Sequence, residues 1–378
     1  MTKPASVQTR QFVGRQPETE EALAGLPEIS QAALRQFSTE RTMAYGVDYS
    51  DVVELRGRVV AGEDWQEVAL DLAATCLEHA EGAAAPTRVP NLRRASALLR
   101  MSQMMKLSDT DDRRATFARA ADLYQEAAAL ARDRERVTIQ APGGVPMAGW
   151  WLSGGPSPRG AVIVIGGVEG WAMDFESSGL AMAARGLDVL LLDAPGQGET
   201  RFTHHHYLTT DWPRAFDAAV DHVAERCAGL PIGIVGHSMG GGIAMAATAR
   251  DPRIRACVSN GGLVYPGLVP ASVGTFFTKM VAFCGTEDPE HSTPVWASVD
   301  PTASGPNAGY PLLVVHGGQD PMISDDLSNL LLDLAPTEAK EMVVFSDGNH
   351  CVYNHLQDRD ILIGDWMTAR LAATGQEA

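Results

Sequence analysis

PIGIVGHSMGGG, residues 231–242, combines a short strand, a sharp turn and the start of a helix. Its first five residues are apolar and include β-branched side chains, which is typical of a strand inside a sheet. The pattern G-x-S-x-G follows, and the residues after it favour a helix that ends before Pro252. In that context the pattern places a serine hydroxyl at the apex of a strained turn. Ser238 is therefore the candidate nucleophile, and a glycine-rich turn with a chance serine is the alternative.

The composition is that of an ordinary globular protein. The chain has 378 residues, of which 45% are hydrophobic and 20% are charged. Asp and Glu number 47 against 30 Lys and Arg, so the formal net charge is −17. Such a surplus repels phosphate groups and argues against a nucleic-acid or anionic-membrane partner. No apolar run approaches the ~20 residues that cross a bilayer, so we expect no membrane span. The expected partner is a small-molecule substrate.

The N-terminus and the cysteines predict a cellular location. The first residues, MTKPAS, lead into polar sequence without the apolar core of a secretory signal. The five cysteines are scattered without C-x-x-C spacing. We interpret them as reduced thiols, which form neither a disulfide framework nor a zinc site. These features predict a cytoplasmic protein.

The predicted secondary structure divides the chain into two parts. Residues 1–134 carry helical patterns, which predict an N-terminal helical domain serving as a lid or a dimerisation surface, with Asn91 and Asp111 as helix caps. Residues 135–378 predict a catalytic domain in which short apolar strands alternate with helices. Within it, residues 262–309 are rich in Pro, Gly, Ser and Phe and interrupt this rhythm. We expect that segment to form a cap-like insertion at the mouth of the site.

The second part predicts an α/β fold. A β-hairpin is expected over residues 136–152, around a Pro-Gly-Gly turn. Continuous apolar runs then alternate with helical patterns, which favours a mostly parallel sheet with helices on both faces. The expected strands are residues 161–165, 187–193, 231–235, 254–259, 312–315 and 341–345.

A serine nucleophile needs a base within hydrogen-bond reach and a carboxylate that orients the base. On this fold the acid and then the base follow the serine, each just after a strand end. Asp320 and His350 stand in such turns and complete a candidate triad with Ser238. The near alternatives are His316, which precedes the acid, His355, which lies beyond the turn, and Asp347, which is close to the base in sequence.

The oxyanion hole is expected to use two backbone N–H groups. One is that of Met239, directly after the nucleophile, and the other lies in the glycine-rich turn after strand 161–165, at Gly167, Val168 or Glu169. Glu169 is unusual because a carboxylate beside an oxyanion opposes the negative charge that develops there. Either it is a surface residue of the loop, or it binds or deprotonates a substrate hydroxyl or tunes Ser238.

Four motifs carry a resemblance to a known family. They are the Gly-Gly-x-Glu turn at 166–169, the serine turn at 236–241, the acid turn at 317–320 and the base turn at 348–355. They resemble those of the 2,6-dihydroxypseudooxynicotine hydrolase family of α/β-hydrolases, whose wider relatives are polyketide-shortening hydrolases and FrsA-type esterases. Asn349 stands where that family often has an acidic residue.

The resemblance implies a fold and an activity. It implies an α/β-hydrolase fold, a serine nucleophile with a glutamate near it, cleavage of a C–C bond next to a ketone, and a homodimer, with no cofactor required. We therefore expect a Ser-His-Asp hydrolase acting on an acyl group attached to an enolisable or phenolic framework, in secondary or catabolic metabolism. A carboxylesterase or an acyl-eliminating tailoring enzyme of natural-product biosynthesis is the alternative. A hydrolase-fold binding protein without turnover is a further rival.

Other residues are weaker candidates. Trp171 and Tyr207 are aromatic residues that could line a substrate pocket, although each is equally compatible with a core position. His237, beside the nucleophile, is a third candidate substrate contact. The run 204–206 consists of three histidines, but consecutive residues point in different directions, and no helical pair or carboxylate cluster accompanies them. We expect no metal site there.

Overall fold

The computed structural model describes residues 18–141 and 143–374. The residues on which the prediction about a signal peptide depends, and Pro142 of the hairpin turn, lie outside the described residues. Within the described ranges, no helix is both long enough and apolar enough to cross a membrane.

Helices make up the first part of the described chain, up to the first strand. Several of these helices have a polar N-cap residue. For example, the Asp64 carboxylate at the start of α5 accepts hydrogen bonds from the N–H groups of Gln66 and Glu67. α5, α6 and α7 pack side by side in chain order. The helices are α1 (Glu20–Ala24), α2 (Glu28–Gln36), α3 (Thr39–Ala44), α4 (Tyr49–Val60), α5 (Trp65–Ala80), α6 (Ala85–Ser102) and α7 (Asp111–Ala131).

Both predicted caps in this region are wrong. α6 begins earlier than expected, because a proline in its first turn needs no hydrogen-bond partner for its nitrogen. Asn91 therefore lies inside the helix, where its side chain donates to the Thr87 carbonyl at 2.8 Å. The cap of α7 is Thr110, whose hydroxyl accepts from the N–H of Arg113 at 3.2 Å, and Asp111 is the first helical residue.

Eight strands form one mostly parallel sheet, as predicted. Their spatial order is β1-β2-β4-β3-β5-β6-β7-β8. The first two strands form the expected hairpin, β2 also runs antiparallel to β4, and all other neighbours are parallel. The strands are β1 (Glu135–Gln140), β2 (Pro146–Leu152), β3 (Gly160–Ile165), β4 (Leu187–Asp193), β5 (Ile232–His237), β6 (Ile254–Asn260), β7 (Leu312–Gly317) and β8 (Lys340–Phe345).

Helices cover both faces of the sheet. Since successive strand residues point to opposite faces, Val162 and Val164 of β3 join a core shared with the N-terminal helices, whereas Ile163 and Ile165 join the core on the other face. The helices of this part are α8 (Glu176–Ala183), α9 (Gly198–Phe202), α10 (Trp212–Arg226), α11 (Met239–Arg250), α12 (Thr275–Phe283), α13 (Pro289–Ala297), α14 (Asp325–Leu334) and α15 (Leu356–Thr374).

The carboxyl ends of the parallel strands place the candidate residues together. β3 and β5 are neighbours, so the turn that begins at Gly166 lies beside Ser238. Asp320 follows β7 and His350 follows β8. The segment between β6 and β7, which includes α12 and α13, extends above this edge.

Candidate active site

Ser238 occupies a strained turn between β5 and α11. Its φ and ψ are 55° and −129°, a conformation that L-residues rarely adopt. Its backbone N–H donates to the Asn260 carbonyl at 2.8 Å. The flanking glycines are required sterically, because a Cβ at Gly236 would lie 2.0 Å from the Gly240 carbonyl oxygen, and one at Gly240 would lie 2.2 Å from the Gly166 carbonyl oxygen. The turn thus presents the hydroxyl at the N-terminus of α11.

His350 contacts both of its expected partners. Its Nε2 lies 2.9 Å from Ser238 Oγ, and its Nδ1 lies 2.7 Å from Asp320 Oδ2. The other carboxylate oxygen, Asp320 Oδ1, accepts the backbone N–H groups of Met322 and Ile323 at 2.8 and 3.1 Å. A carboxylate held this way keeps the imidazole proton on Nδ1 and leaves Nε2 free to accept the serine proton.

The surroundings shift the pKa values of both Asp320 and His350. Burial raises the pKa of the Asp320 carboxyl, but the hydrogen bond and charge of His350 and two backbone N–H groups outweigh it, so the net shift is downward. Burial lowers the pKa of His350, but the adjacent Cys351 and the Asp320 carboxylate outweigh it, so the net shift is upward. The pair is therefore poised to hold an imidazolium against a carboxylate.

The alternative acid and base residues have other partners. His316 is buried, with Nε2 2.7 Å from Asp325 Oδ1 and Nδ1 2.9 Å from Ser328 Oγ. His355 Nε2 lies 2.9 Å from Asp347 Oδ1 at the surface. His316 on β7 pairs with residues of α14, and His355 pairs with a residue of the turn before it. The geometry therefore brings only His350, among the three considered, to the serine.

The glycine-rich turn after β3 lies directly against the serine. A Cβ at Gly167 would meet Ser238 Cβ at 2.8 Å and Oγ at 3.1 Å. Gln197 Nε2 donates to the carbonyl oxygens of Gly166 and Gly167 at 2.6 and 3.0 Å, which fixes the turn. Among the described residues, no acceptor pairs with the backbone N–H groups at positions 168 and 169.

Substituting Gly167 with alanine is expected to lower kcat about 10²-fold, because displacing reacting groups by ~1 Å has a cost of that size. The added methyl group would lie 2.8 Å from Ser238 Cβ, so the serine or the glycine-rich turn must shift. Gly309→Ala is the matched control, since nothing lies within 4 Å of its built Cβ. Steady-state kinetics of both variants check this, and equal activity of the two would contradict the described packing.

Comparison with known proteins agrees with this architecture. The family model described as serine aminopeptidase, S33, matches residues 156–284. A curated relative, 2,6-dihydropseudooxynicotine hydrolase of Paenarthrobacter nicotinovorans, is 29% identical over 348 residues, which cover 88% of this chain and 91% of the relative. A monoacylglycerol lipase of Mycolicibacterium smegmatis is 27% identical over 251 residues, covering 57% of this chain and 90% of the lipase.

A solved structure extends the similarity to three dimensions. The crystal structure of 2,6-dihydroxy-pseudo-oxynicotine hydrolase superposes with a TM-score of 0.76 at 28% identity, over 89% of this chain and 97% of that one. The chain has the α/β-hydrolase fold. This confirms the fold predicted from the motifs, including the helical region before the first strand. In the hydrolase, the family-model match includes Ser238 and the glycine-rich turn, while Asp320 and His350 lie beyond it.

Glu169 of the hydrolase is buried among donors from two other parts of the chain. Gln36 and Arg41 come from the N-terminal helices, and Lys279 comes from α12. Gln36 Nε2 and Lys279 Nζ contact the Glu169 carboxylate, and Arg41 Nη2 lies 3.5 Å from it. The Glu169 carbonyl also accepts hydrogen bonds from Arg41 at 3.0 Å and from the Tyr45 hydroxyl at 2.5 Å. The carboxylate is thus charge-compensated, and it is not the exposed loop residue of the simpler interpretation.

Lys279 is a functional candidate that sequence reasoning missed. It is 4% exposed, and burial together with nearby Arg41 and Arg113 lowers its pKa well below the ordinary value. The signal was present in the sequence of α12, TFFTKMVAF, where it is the single charged residue among nine. A lone charge on a hydrophobic helix needs a buried partner, which here is Glu169.

A cavity of about 690 Å³ opens beside His350, a volume in the usual range for small-molecule sites. One wall comes from α2, α3 and their connection and is largely polar. The opposite wall comes from the inserted segment and is apolar. Lining residues include Arg35, Gln36, Ser38 and Arg41 on the polar side, and Leu263, Val264, Leu268, Val269, Pro270, Val273 and Phe276 on the apolar side.

The three predicted substrate contacts do not line this cavity. Trp171 is 1% exposed and packs edge-on against Phe117 and Phe202, with ring centroids 5.4 and 5.2 Å apart. Tyr207 lies at a separate cavity between the N-terminal helices and α12, where its hydroxyl donates to Asp109 at 3.1 Å. His237 is fully buried behind the serine. These assignments are corrected: the first is a core residue, and the other two have other partners.

The histidine run also has separate contacts. His205 Nδ1 lies 2.9 Å from Arg114 Nη1, and His206 Nδ1 lies 3.3 Å from the Pro146 carbonyl oxygen. In the part of the chain that the structure describes, no group of three or more His, Cys, Asp or Glu side chains is arranged to hold a metal ion.

Proposed function

We propose that this hydrolase cleaves a carbon–carbon bond next to a ketone, in an acyl group on an enolisable or phenolic framework. Ser238 is assigned as the nucleophile, His350 as the general base and Asp320 as the residue that orients it. The contact of one imidazole with both other groups, at 2.9 and 2.7 Å, is the observation that carries this proposal. The family resemblance of the motifs supports the C–C bond over other acyl bonds.

The reaction begins when Ser238 Oγ bonds to the carbonyl carbon while its proton passes to His350 Nε2. The carbonyl π electrons move to oxygen, and the oxyanion accepts hydrogen bonds from the N–H groups of Met239 and of the turn at Gly167, Val168 or Glu169. When the carbonyl re-forms, the C–C bond breaks and its electron pair leaves with the carbon, which takes the proton from His350. Water, deprotonated by the same imidazole, then hydrolyses the acyl-enzyme to a carboxylic acid.

The carbon leaving group requires stabilisation as an enolate or a phenol-like ring. Glu169 is assigned to a hydroxyl or enol of that leaving group. It is buried behind Gln36 and Arg41, which line the cavity and lie beside its carboxylate. Because the Arg41 guanidinium lies 3.5 Å from its carboxylate, its negative charge is offset and does not oppose the oxyanion. The same guanidinium favours the negative charge that develops on the departing carbon framework.

Two parts of the chain enclose the substrate in this proposal. Residues 1–134 act as a helical lid domain and residues 135–378 as the catalytic domain, with 262–309 as its cap. Polar groups on the lid wall suit oxygen atoms along one edge of the substrate, and the apolar wall of the cap suits a carbon skeleton. The apolar wall also favours a second candidate, hydrolysis of a carboxylic ester with a hydrophobic acyl chain, as the lipase relative suggests.

Glu169→Gln is expected to lower turnover of an aryl β-diketone by about 10²-fold or more, the usual contribution of a group that transfers or holds a proton. Turnover of an aryl acetate should change far less, because its leaving group needs no such contact. Initial rates on both substrates measure the difference. Glu199→Gln is the control, since that carboxylate is also buried and contacts Arg136.

The outcome separates the two candidates. Diketone cleavage that depends on Glu169 supports C–C hydrolysis. Acetate turnover alone, unchanged by Glu169→Gln, would mean that the enzyme is an esterase.

A further inference from the structure

His237 makes two polar contacts although it does not reach the cavity. Its ring stacks on Phe175, with centroids 4.4 Å apart and an angle of 11° between the planes. Asn260 Nδ2 lies 2.9 Å from His237 Nδ1, and Ser178 Oγ lies 3.4 Å from His237 Nε2. Burying a polar group costs free energy unless it is hydrogen-bonded. Ser178 and Asn260 are themselves hydrogen-bonded to further buried residues.

That chain of partners closes on itself. The Ser178 hydroxyl donates to Asp360 Oδ1 at 2.9 Å, and Arg359 Nε and Nη2 donate to the same oxygen at 3.0 and 2.7 Å. Arg359 Nη1 donates to the Cys351 carbonyl oxygen at 3.0 Å. Asn260 Nδ2 donates to that same carbonyl at 3.1 Å and so returns to His237. We call these six residues the buried ring.

The partners of His237 indicate which of its ring nitrogens carries the proton. Burial, with a further contribution from Arg359, lowers the pKa of His237 well below its ordinary value, so the imidazole is neutral. Its Nδ1 faces an amide donor and must accept, so its proton is on Nε2 and points to Ser178. The serine proton then points to Asp360. Each of these donors then has an acceptor, which restrains the relative positions of the six residues.

The buried ring connects the two turns that carry the reacting groups. His237 directly precedes Ser238, and Cys351 directly follows His350. Cys351 and Val352 have φ values of 55° and 58°, and a β-branched residue in that region is strained. Such a conformation persists only when its surroundings hold it, and two donors of the buried ring hold the Cys351 carbonyl.

We propose that His237 is a positioning residue, which acts through the buried ring to set the distance between Ser238 Oγ and His350 Nε2. This inference rests on the triad proposed above. It predicts an effect on the chemical step without an effect on substrate binding, because neither His237 nor Ser178 lines the cavity.

Two substitutions each remove hydrogen bonds from a different part of the buried ring. His237→Phe keeps an aromatic ring against Phe175 but removes both hydrogen bonds, and Ser178→Ala removes one oxygen. Each is expected to lower kcat about 10-fold, with KM unchanged, as a displacement of less than 1 Å would. The acid limb of the pH–rate profile should move to lower pH, since a looser contact with Asp320 raises the pKa of His350 less. Ser177→Ala, on the same helix, is the control.

A double variant gives the decisive measurement. If the buried ring acts as one unit, Ser178→Ala combined with His237→Phe should lower kcat no further than either single change. Multiplying effects would overturn the proposal, as would kcat and pH profiles like those of wild type with only a lower Tm. Should the phenylalanine variant fail to fold, Ser178→Ala with its pH profile still decides. Labelling of Ser238 by a fluorophosphonate in the wild type tests the triad separately.

Discussion

Replacing Ser238 with alanine is expected to lower kcat by about 10⁵–10⁶-fold, the loss seen when a serine nucleophile is removed from a triad. In the proposed mechanism the hydroxyl forms the acyl-enzyme, and it lies 2.9 Å from His350 Nε2. Residual turnover would reflect the oxyanion hole and substrate binding alone. Covalent labelling by a fluorophosphonate, followed by mass spectrometry of the intact protein, should be abolished together with activity. Persistent labelling in the variant would contradict the assignment.

The Tm values of two variants at position 238 distinguish the effect of losing the hydroxyl from the effect of backbone strain. Ser238 has a φ of 55°, a conformation that stores about 1–3 kcal/mol in a residue with a Cβ. Ser238→Ala keeps this strain and should unfold near the wild-type temperature. Ser238→Gly relieves it and should raise the Tm, although both variants lack the proposed nucleophile. A lower Tm for the glycine variant would show that the turn is unstrained.

The sheet could be predicted because its signal is local. Each central strand is a continuous apolar run, since both faces of a parallel sheet are covered. A hydrophobic stripe defines α10, Trp212–Arg226, so its bounds can be predicted from sequence. α11 begins at Met239, inside the G-x-S-x-G pattern, which is earlier than the helix expected after that pattern. Three consecutive glycines have low helix propensity, so the first turn of α11 cannot be predicted from composition. The glycines are needed there because the backbone of the serine turn packs closely against its neighbours.

The surroundings of Glu169 could not be predicted, because they are non-local. Gln36 and Arg41 are separated from it by 133 and 128 positions, and no local pattern encodes which helix face docks on which turn. The contact with Lys279 depends on the placement of an inserted segment that has no periodic signal. The motif indicated that the carboxylate was unusual, and only the packed structure shows its counter-ions.

His237 was misassigned for a geometric reason. Neighbouring residues at the end of a strand point to opposite sides, so the side chain before the nucleophile points away from the substrate. Its proximity in sequence to Ser238 therefore indicates the opposite side of the turn. The structure places it in the buried core beside Phe175.

Asp320→Asn is expected to lower kcat by about 10⁴-fold while preserving the fold. Asp320 Oδ1 accepts two backbone N–H groups, from Met322 and Ile323, so the asparagine oxygen must take that position. Its NH₂ group then faces His350 Nδ1, which becomes an acceptor. The imidazole proton moves to Nε2, where it faces Ser238 and prevents proton transfer from the hydroxyl.

The pH dependence gives the variant an independent signature. In the wild type the Asp320 carboxylate helps to raise the pKa of His350, so kcat/KM should fall as the pH drops through a value above the ordinary imidazole pKa of about 6.5. Without the carboxylate, the residual activity should show its acid limb at lower pH. The shift has this direction because a carboxylate stabilises the imidazolium form of His350 and an amide does not.

The chain provides a matched control for this substitution. Asp325 lies 2.7 Å from Nε2 of the buried His316, the same distance that separates Asp320 from His350. Asp325→Asn therefore removes a carboxylate–imidazole contact of the same length outside the site and should change kcat less than 2-fold, because His316 does not contact Ser238 and the Asp325 carboxylate is exposed. Comparable losses in both variants would show that the effect is on folding. A 10⁴-fold loss in Asp320→Asn alone would show that tautomer control of His350 is what the carboxylate contributes.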